Sequence, residues 1–450
     1  MRILDWLKVG IRVKRWLAFG LFGILLIAYG FTELVYHRMY DIYYIVFYVF
    51  LNVTGIFVLY VSITEMMKSI IALINRGYIK VSLDSRKMES LIYEKRLLVK
   101  GPKIVVIGGG TGLSTMLRGL KYYTSNITAI VTVGDDGGGS GALREDLGML
   151  PPGDIRNCIL ALADTEPIME DLLQYRFSDG RLKNQSFGNL FLAAMAGISD
   201  NFEEAVQKMS SVLAVTGKVI PVTLDNMQLI AKLQNGNIVE GESQIPEEAI
   251  KQNSRIEEFK IVPESARALP EALQAIKEAD AIVMGPGSLY TSITSNLLVK
   301  DIAKEVKKSD AVKIYISNIM TQPGETTGFK VSDHLKVLLK YGGKDIVDYV
   351  IANTGEITEE LREKYQKDGA DLVKLDREDI NSLGIKIVGE DLVKIKNGLV
   401  KHDADKLAEI LADTIMEKKL LYDKKKIIEY MYLSQRIKER VREEKGKEND

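Results

Sequence analysis

The sequence predicts an α/β protein with a largely parallel sheet and flanking helices, preceded by an N-terminal two-helix transmembrane hairpin. Two observations carry that prediction. Runs of β-branched residues, Ile104-Val105-Val106-Ile107 and Ile130-Val131-Thr132-Val133, each empty into a glycine-rich loop, as do parallel strands buried on both faces. Upstream, Trp16 to Thr32 and Ile42 to Thr64 are uncharged for 17 and 23 residues, near the length that crosses a bilayer.

The hairpin comes first in the chain. Arg2, Lys8, Arg12, Lys14 and Arg15 precede the first span, and Lys68, Arg76 and Lys80 follow the second. The short connection offers Glu33, His37, Arg38 and Asp41. Positive charge at both outer ends places both in the cytoplasm. Trp16, Tyr29, Tyr36, Tyr40, Tyr43 and Tyr44 suit the membrane interfaces. A cleavable signal peptide fits less well, because a second, longer span follows; two buried helices of a soluble protein are the alternative. The expected organisation is a hairpin over 1–76, a charged connector over 77–100, a ligand-binding domain over 101–416 and a charged helical tail over 417–450.

Three polar loops lie close together: IVVIGGGTGLS (Ile104 to Ser114), VTVGDDGGGSG (Val131 to Gly141) and LPPGDIRN (Leu150 to Asn157). Without side chains, Gly108 to Gly110 let backbone N–H groups approach an anion, with the N-terminus of a helix expected over Leu113 to Lys121 behind them. Leu113 stands where a dinucleotide fingerprint needs glycine, and no Gly-Lys-Ser/Thr follows, so neither NAD binding nor P-loop hydrolysis is expected. Asp135 and Asp136 can hold Mg²⁺ or accept from sugar and base groups, or form a solvated turn. Asp154 is expected to cap a helix over Ile155 to Asp164, which leaves Asn157 unexplained.

Further on, AIVMGPGSLYTS (Ala281 to Ser292) is a second candidate anion cradle, and IYISNIMTQPGE (Ile314 to Glu325) a strand and turn that could close over a ligand. Thr216 to Pro263 alternates and reads as a small β-rich insertion over the cleft. Leu407 to Met416 reads as an amphipathic core helix. The charged tail beyond it is either solvated or a partner-binding helix using Ile427, Ile428, Met431, Leu433 and Ile437.

Composition narrows the partners. With 60 basic and 61 acidic residues, the net charge of −1 argues against nucleic acid. The single cysteine, Cys158, reads as core, and His37, His334 and His402 have no metal-ligand spacing.

From Gly101 to Met416 the chain resembles the gluconeogenesis-factor (YvcK) family, bacterial relatives of 2-phospho-L-lactate transferase (CofD). The resemblance rests on GGGTGLS, TVGDDGGGSGALREDLGMLPPGDIRNCILALAD, YRFSDG, SFGNLFLAAM, GPGSLYTSITSNLL, SNIMTQPGETTGF and KHD. It implies a Rossmann-like fold that binds a UDP-sugar such as UDP-N-acetylglucosamine, with roles in cell shape, peptidoglycan precursor supply and growth on gluconeogenic carbon sources. By that resemblance Gly109, Gly110, Thr111 and Gly112 meet the diphosphate, and Asp135 and Asp136 sit beside the sugar or a cation. Asn189 points into the same cleft, and Gly287, Ser288, Leu289, Tyr290 and Thr291 complete it, Tyr290 offering an aromatic face. Gly138 and Asn157 join this candidate set. The family usually has His where Gln185 stands. No catalytic residue, metal ligand or obligatory cofactor is expected, with Mg²⁺ as an optional companion. The expected product is a regulator; the alternative is a metal-dependent phospho-group transferase using Asp135 and Asp136. Expected partners are the UDP-sugar, the cytoplasmic membrane, a cell-wall or regulatory protein and further copies of the chain. The main domain is expected in the cytoplasm, where members lacking the hairpin also reside.

Overall fold

The computed structural model describes residues 13–36, 42–77, 97–99 and 101–420. The chain divides into two compact units, Met1–Tyr93 and Glu94–Asp450. Most of the expected connector and residues 421–450 of the expected tail lie outside the described residues.

In the first unit, helix α1 (Val13–Tyr36) pairs with helix α2 (Ile42–Gly77). Both contain windows long and apolar enough to cross a membrane, Trp16–Val35 and Ile42–Glu65, by length and composition. Glycine sets their approach: a Cβ on Gly23 would stand 3.0 Å from the Gly55 carbonyl oxygen, and one on Gly55 2.9 Å from that of Gly23. The Ser62 hydroxyl donates to the Trp16 carbonyl across the pair. Outward-facing side chains such as Leu25 and Phe50 are 65% and 67% exposed, so the pair carries a continuous apolar outer surface.

The second unit is built on seven parallel strands: β1 (Ile104–Gly108), β2 (Ile127–Val131), β3 (Lys218–Pro221), β7 (Ala281–Met284), β8 (Val312–Ile316), β9 (Tyr349–Asn353) and β10 (Lys386–Glu390). Their order is β10-β9-β8-β7-β1-β2-β3. Every residue of β1, β7 and β8 is buried, which is why these strands read as unbroken apolar runs. The chain leaves β1 toward β2 and returns on its other side as β7, so the order in which strands are added reverses between β1 and β7 while all strands stay parallel. Ligands of open parallel sheets bind outside the carboxyl ends of the strands at such a reversal.

The expected insertion is smaller than its sequence span. Lys218–Pro221 pairs with β2 as the edge strand of the main sheet, where a proline costs no ladder bond. The insertion proper is the three-stranded sheet β5-β4-β6, made of β4 (Gln228–Leu233), β5 (Ile238–Glu240) and β6 (Ile256–Val262), with a helix over Gln244–Lys251. Near the end, β11 (Val393–Lys396) and β12 (Leu399–His402) form a hairpin turned by Asn397-Gly398, both at positive φ, as a type I′ turn requires.

Five helices frame the cleft: α3 (Gly110–Leu120), α4 (Gly138–Leu147), α5 (Gly153–Leu162), α6 (Pro167–Gln174) and α7 (Phe187–Gly197). The first and third begin two or three residues before the expected starts, so their glycines are the first helical turn itself. The helix over Ala404–Leu420 lies on α3 at Gly119, where a Cβ would come 2.4 Å from the Ala404 carbonyl oxygen and 2.9 Å from Ala408 Cβ. Because backbone cannot yield there, Gly119→Ala should cost about 1–3 kcal/mol, read as a lower thermal midpoint. Gly197→Ala, with nothing within 4 Å of the added carbon, should leave it unchanged.

Candidate functional site

The loops after β1 and β7 lie side by side and interlock. A Cβ on Gly112 would stand 2.8 Å from the Pro286 carbonyl oxygen, and one on Gly109 2.5 Å from Asp154 Oδ2. Gly110 adopts φ +68°, the left-handed region. At Gly112 the obstacle is backbone, which leaves no room for a side chain, whereas at Gly109 the Asp154 and Thr132 side chains would have to move; as at any helix start, the first-turn amides of α3 have no intrahelical partners.

Between the loops is a cavity of about 320 Å³, lined by Gly109, Gly110, Thr111, Gly112, Thr132, Asp135, Asp154, Glu242, Gly287, Ser288, Thr291 and Ser292. Eight of the expected site residues therefore meet here: Gly109 to Gly112, Asp135, Gly287, Ser288 and Thr291. A larger cavity, about 860 Å³, lies at the opposite, amino end of β1 and β2, and carries the Lys103–Glu278 and Lys218–Glu271 ion pairs on its walls. It holds none of the glycine loops, and the strand-end rule favours the smaller one.

The segment after β8 braces the second glycine loop. Asn318 Oδ1 accepts from the Gly287 amide at 3.3 Å, the Ser288 hydroxyl donates to Gln322 Oε1 at 2.7 Å, and Gln322 Nε2 donates to Glu325 Oε1 at 2.7 Å. Glu325 accepts from the Tyr290 amide and the Thr291 hydroxyl at 3.3 and 3.4 Å. Residues 318–325 thus hold the loop in shape.

Asp136 has a role the sequence did not suggest. Its two carboxylate oxygens accept from the amides of Glu242 and Ser243, each at 2.9 Å. That clasp fixes the insertion to the β2 loop and delivers Glu242 into the cavity. Asp154 likewise departs from its expected part as a helix cap: Pro152 occupies the cap position of α5, with no side-chain cap. Asp154 instead accepts from the Gly110 amide, pinning the first glycine loop. Glu242, Thr132 and Ser292 were absent from the sequence reading of the site.

The acids crowd one another. Burial, then Asp135 and Glu242, raise Asp154 to about 8, against the Gly110 amide that favours its anion. Burial and Asp135 raise Glu242 to about 7, and burial and Glu242 raise Glu325 to about 7. Among the described residues no three His, Cys, Asp or Glu side chains stand at metal-binding spacing.

Five expected residues stand away from this wall. Leu289 and Tyr290 lie in a buried π-helical turn, Leu289–Thr294, a feature common at functional sites. Tyr290 is 4% exposed with its ring 5.5 Å from that of Phe259, so its aromatic face serves the core. Gly138 opens α4 at positive φ in open space. Asn157 is half-buried on α5, and Asn189 is buried on α7 with Oδ1 lacking a partner. The KHD motif is structural: His402 Nε2 meets the Ser317 carbonyl at 3.2 Å, and Asp403 accepts from the Asp405 and Lys406 amides at 3.2 and 3.3 Å.

Residues 104–393 match the 2-phospho-L-lactate transferase CofD family. A Clostridium acetobutylicum protein carrying the name gluconeogenesis factor is 65% identical over 446 residues, 99% of each chain. The Bacillus subtilis gluconeogenesis factor is 47% identical over 317 residues, 70% of this chain and 99% of its own. A solved UPF0052-family protein from Bacillus halodurans superposes with a TM-score of 0.66 at 43% identity, covering 70% of this chain and 99% of that one. The clostridial match extends through the apolar helices, whereas the two Bacillus proteins match a length close to that of the second unit.

Two expectations follow from the acids and the clasp. Asp154, Glu242 and Glu325 hold protons more tightly folded than unfolded, so the folded state carries extra protons. Stability should therefore fall as pH rises from about 4, the unfolded carboxyl range, through the folded values near 7 and 8. Urea midpoints across that range should show the slope, and Asp154→Asn should flatten it. Asp136→Asn should speed hydrogen exchange at the Glu242 and Ser243 amides at least about fivefold, the equivalent of roughly 1 kcal/mol, while exchange in β1 stays unchanged.

Proposed function

The chain belongs to the CofD family, among the gluconeogenesis factors, and from that premise we propose that it binds a UDP-activated sugar such as UDP-N-acetylglucosamine and acts as a regulator at the inner face of the cytoplasmic membrane. The observation that carries this reading is the cleft itself, two interlocked glycine loops at a strand reversal with a helix N-terminus aimed between them. Amides of Thr111 and Gly112 in the first turn of α3 suit the diphosphate. Asp135, Asp154 and Glu242 face the same space and suit hydroxyl-rich groups, as acceptors when ionised and as donors when protonated.

Three acids beside a diphosphate would repel it were all ionised. The raised values of Asp154 and Glu242 favour their protonated forms toward neutral pH. Mg²⁺ is the other remedy; with no metal-ligating trio among the described residues, it would take ligands from the diphosphate and water. The output runs through the clasp, since Glu242 lines the ligand space and its backbone is tied to Asp136. A ligand that moves Glu242 moves the insertion, the surface offered to a regulatory or cell-wall partner. Such a signal fits a role in peptidoglycan supply, cell shape and growth on gluconeogenic carbon. The apolar helices would place it at the bilayer, with the main domain in the cytoplasm.

The test is a thermal-shift titration of the full chain in detergent against UDP-N-acetylglucosamine, UDP-glucose, UDP, GDP and NAD, with and without Mg²⁺. A ligand at one hundred times its dissociation constant adds about 2.7 kcal/mol. UDP-sugars should stabilise the protein most, UDP less and NAD not at all. Stabilisation by GDP with Mg²⁺ and none by UDP-sugars would overturn the reading in favour of a phospho-group transferase.

A further inference from the structure

Across the clasp from the cavity lies a second hollow. Its volume is about 370 Å³, and Asp136, Arg144, Asn226, Gln228, Glu240 and Gly241 are on its walls. The two stand back to back: Asp135 and Glu242 line the first, and their chain neighbours Asp136 and Gly241 the second. Asn226, Gln228 and Glu240 are exposed, so the second opens to solvent beside the insertion.

The sheet sets the direction in which a nucleotide runs. Where a glycine loop and helix N-terminus hold a diphosphate, a carboxylate at the end of the next strand takes the ribose hydroxyls. Asp135, after β2 and on the cavity wall, stands at that place. Beyond β2 comes β3, whereas β7 lies on the opposite side of β1. A nucleoside held at Asp135 therefore extends toward β3, and the chain leaving β3 supplies Asn226 and Gln228. The loop after β7 is left for the sugar.

Arg144, on α4, reaches both hollows. Its Nη1 donates to the Asp135 carbonyl at 3.4 Å, and its Nη2 to Asn226 Oδ1 and the Met227 carbonyl at 2.6 and 2.7 Å. Guanidinium N–H groups point along the plane of the group, so acceptors on two segments fix how that plane is turned. With both terminal nitrogens bound to protein, what Arg144 offers the hollow is a flat face. Such a face is a platform on which a nucleobase stacks. Beside it, the Gln228 amide supplies a donor and an acceptor together, the complement of the adjacent O4 and N3–H on the edge of uracil.

We propose that this hollow is the nucleobase subsite of the ligand cleft, with the base stacked on the Arg144 guanidinium and its edge read by Gln228. The assignment rests on the nucleotide-sugar reading of the cleft. Diphosphate and ribose occupy the first hollow, and the base crosses the clasp on the solvent side into the second. Nucleotide binding then grips α4 and the insertion at once.

Photolabelling of the full chain in detergent with 4-thio-UDP, whose base cross-links to what it touches, tests this. The labelled peptides should contain Arg144 or residues 226–241, and excess UDP-N-acetylglucosamine should erase the label. Label elsewhere that UDP-N-acetylglucosamine erases overturns the subsite and leaves the UDP-sugar reading standing. Label in the hollow that it does not erase also overturns the subsite. If 4-thio-UDP labels nothing and 8-azido-GDP labels the same peptides, the UDP-sugar reading fails and the base subsite stands; if neither labels, both fail. In equilibrium binding, Gln228→Ala and Arg144→Lys, which keeps the charge and loses the plane, should each weaken UDP about tenfold with inorganic pyrophosphate unchanged. Should the half-buried substitution unfold the protein, the exposed Gln228→Ala decides. Unchanged UDP affinity, or an equal loss for UDP and pyrophosphate, would overturn the base contact.

Discussion

Two backbones meet where side chains would keep them apart. The loop after β1 and the loop after β7 come so close at Gly112 and Pro286 that one added carbon would overlap a carbonyl oxygen. From that closeness follow the width of the cleft, the direction in which α3 points its amides and the position of Asp154 beneath Gly109. Parallel strands arranged around a reversal bring the two loops together, and glycine lets them touch.

The cleft so formed is unusual in its electrostatics. It joins an anion-seeking helix terminus to Asp135, Asp154 and Glu242. Burial and mutual repulsion raise two of these acids toward neutrality, which moderates a conflict that full ionisation would make severe.

Local patterns made much of this legible. β-branched runs betrayed β1 and β2, since strands buried on both faces cannot hide their composition, and glycine clusters marked the loops because close approach leaves no other residue. The rest needed the third dimension. Glu242 stands in NGNIVEGES with nothing to mark it, because a clasp from Asp136, more than one hundred residues away, brings it in. The same clasp takes Asp136 out of the ligand wall, although sequence cannot tell it from its neighbour Asp135. Tyr290 sits in the right motif but faces Phe259, a choice made by packing against the insertion. Lys218–Pro221 reads as part of the insertion because a four-residue strand, here with three buried residues in a row, carries too little pattern to tell the edge of the main sheet from a strand of the insertion.

The clasp also has an evolutionary side. Asp136 grips main-chain N–H groups, which every residue except proline supplies. Its hold on positions 242 and 243 is blind to the side chains there. The insertion can therefore drift in sequence, trading its outward residues for others and so its partners, while the attachment point and the register of position 242 endure. A carboxylate binding to peptide groups in this way separates the part of the protein free to diversify from the part that must stay still.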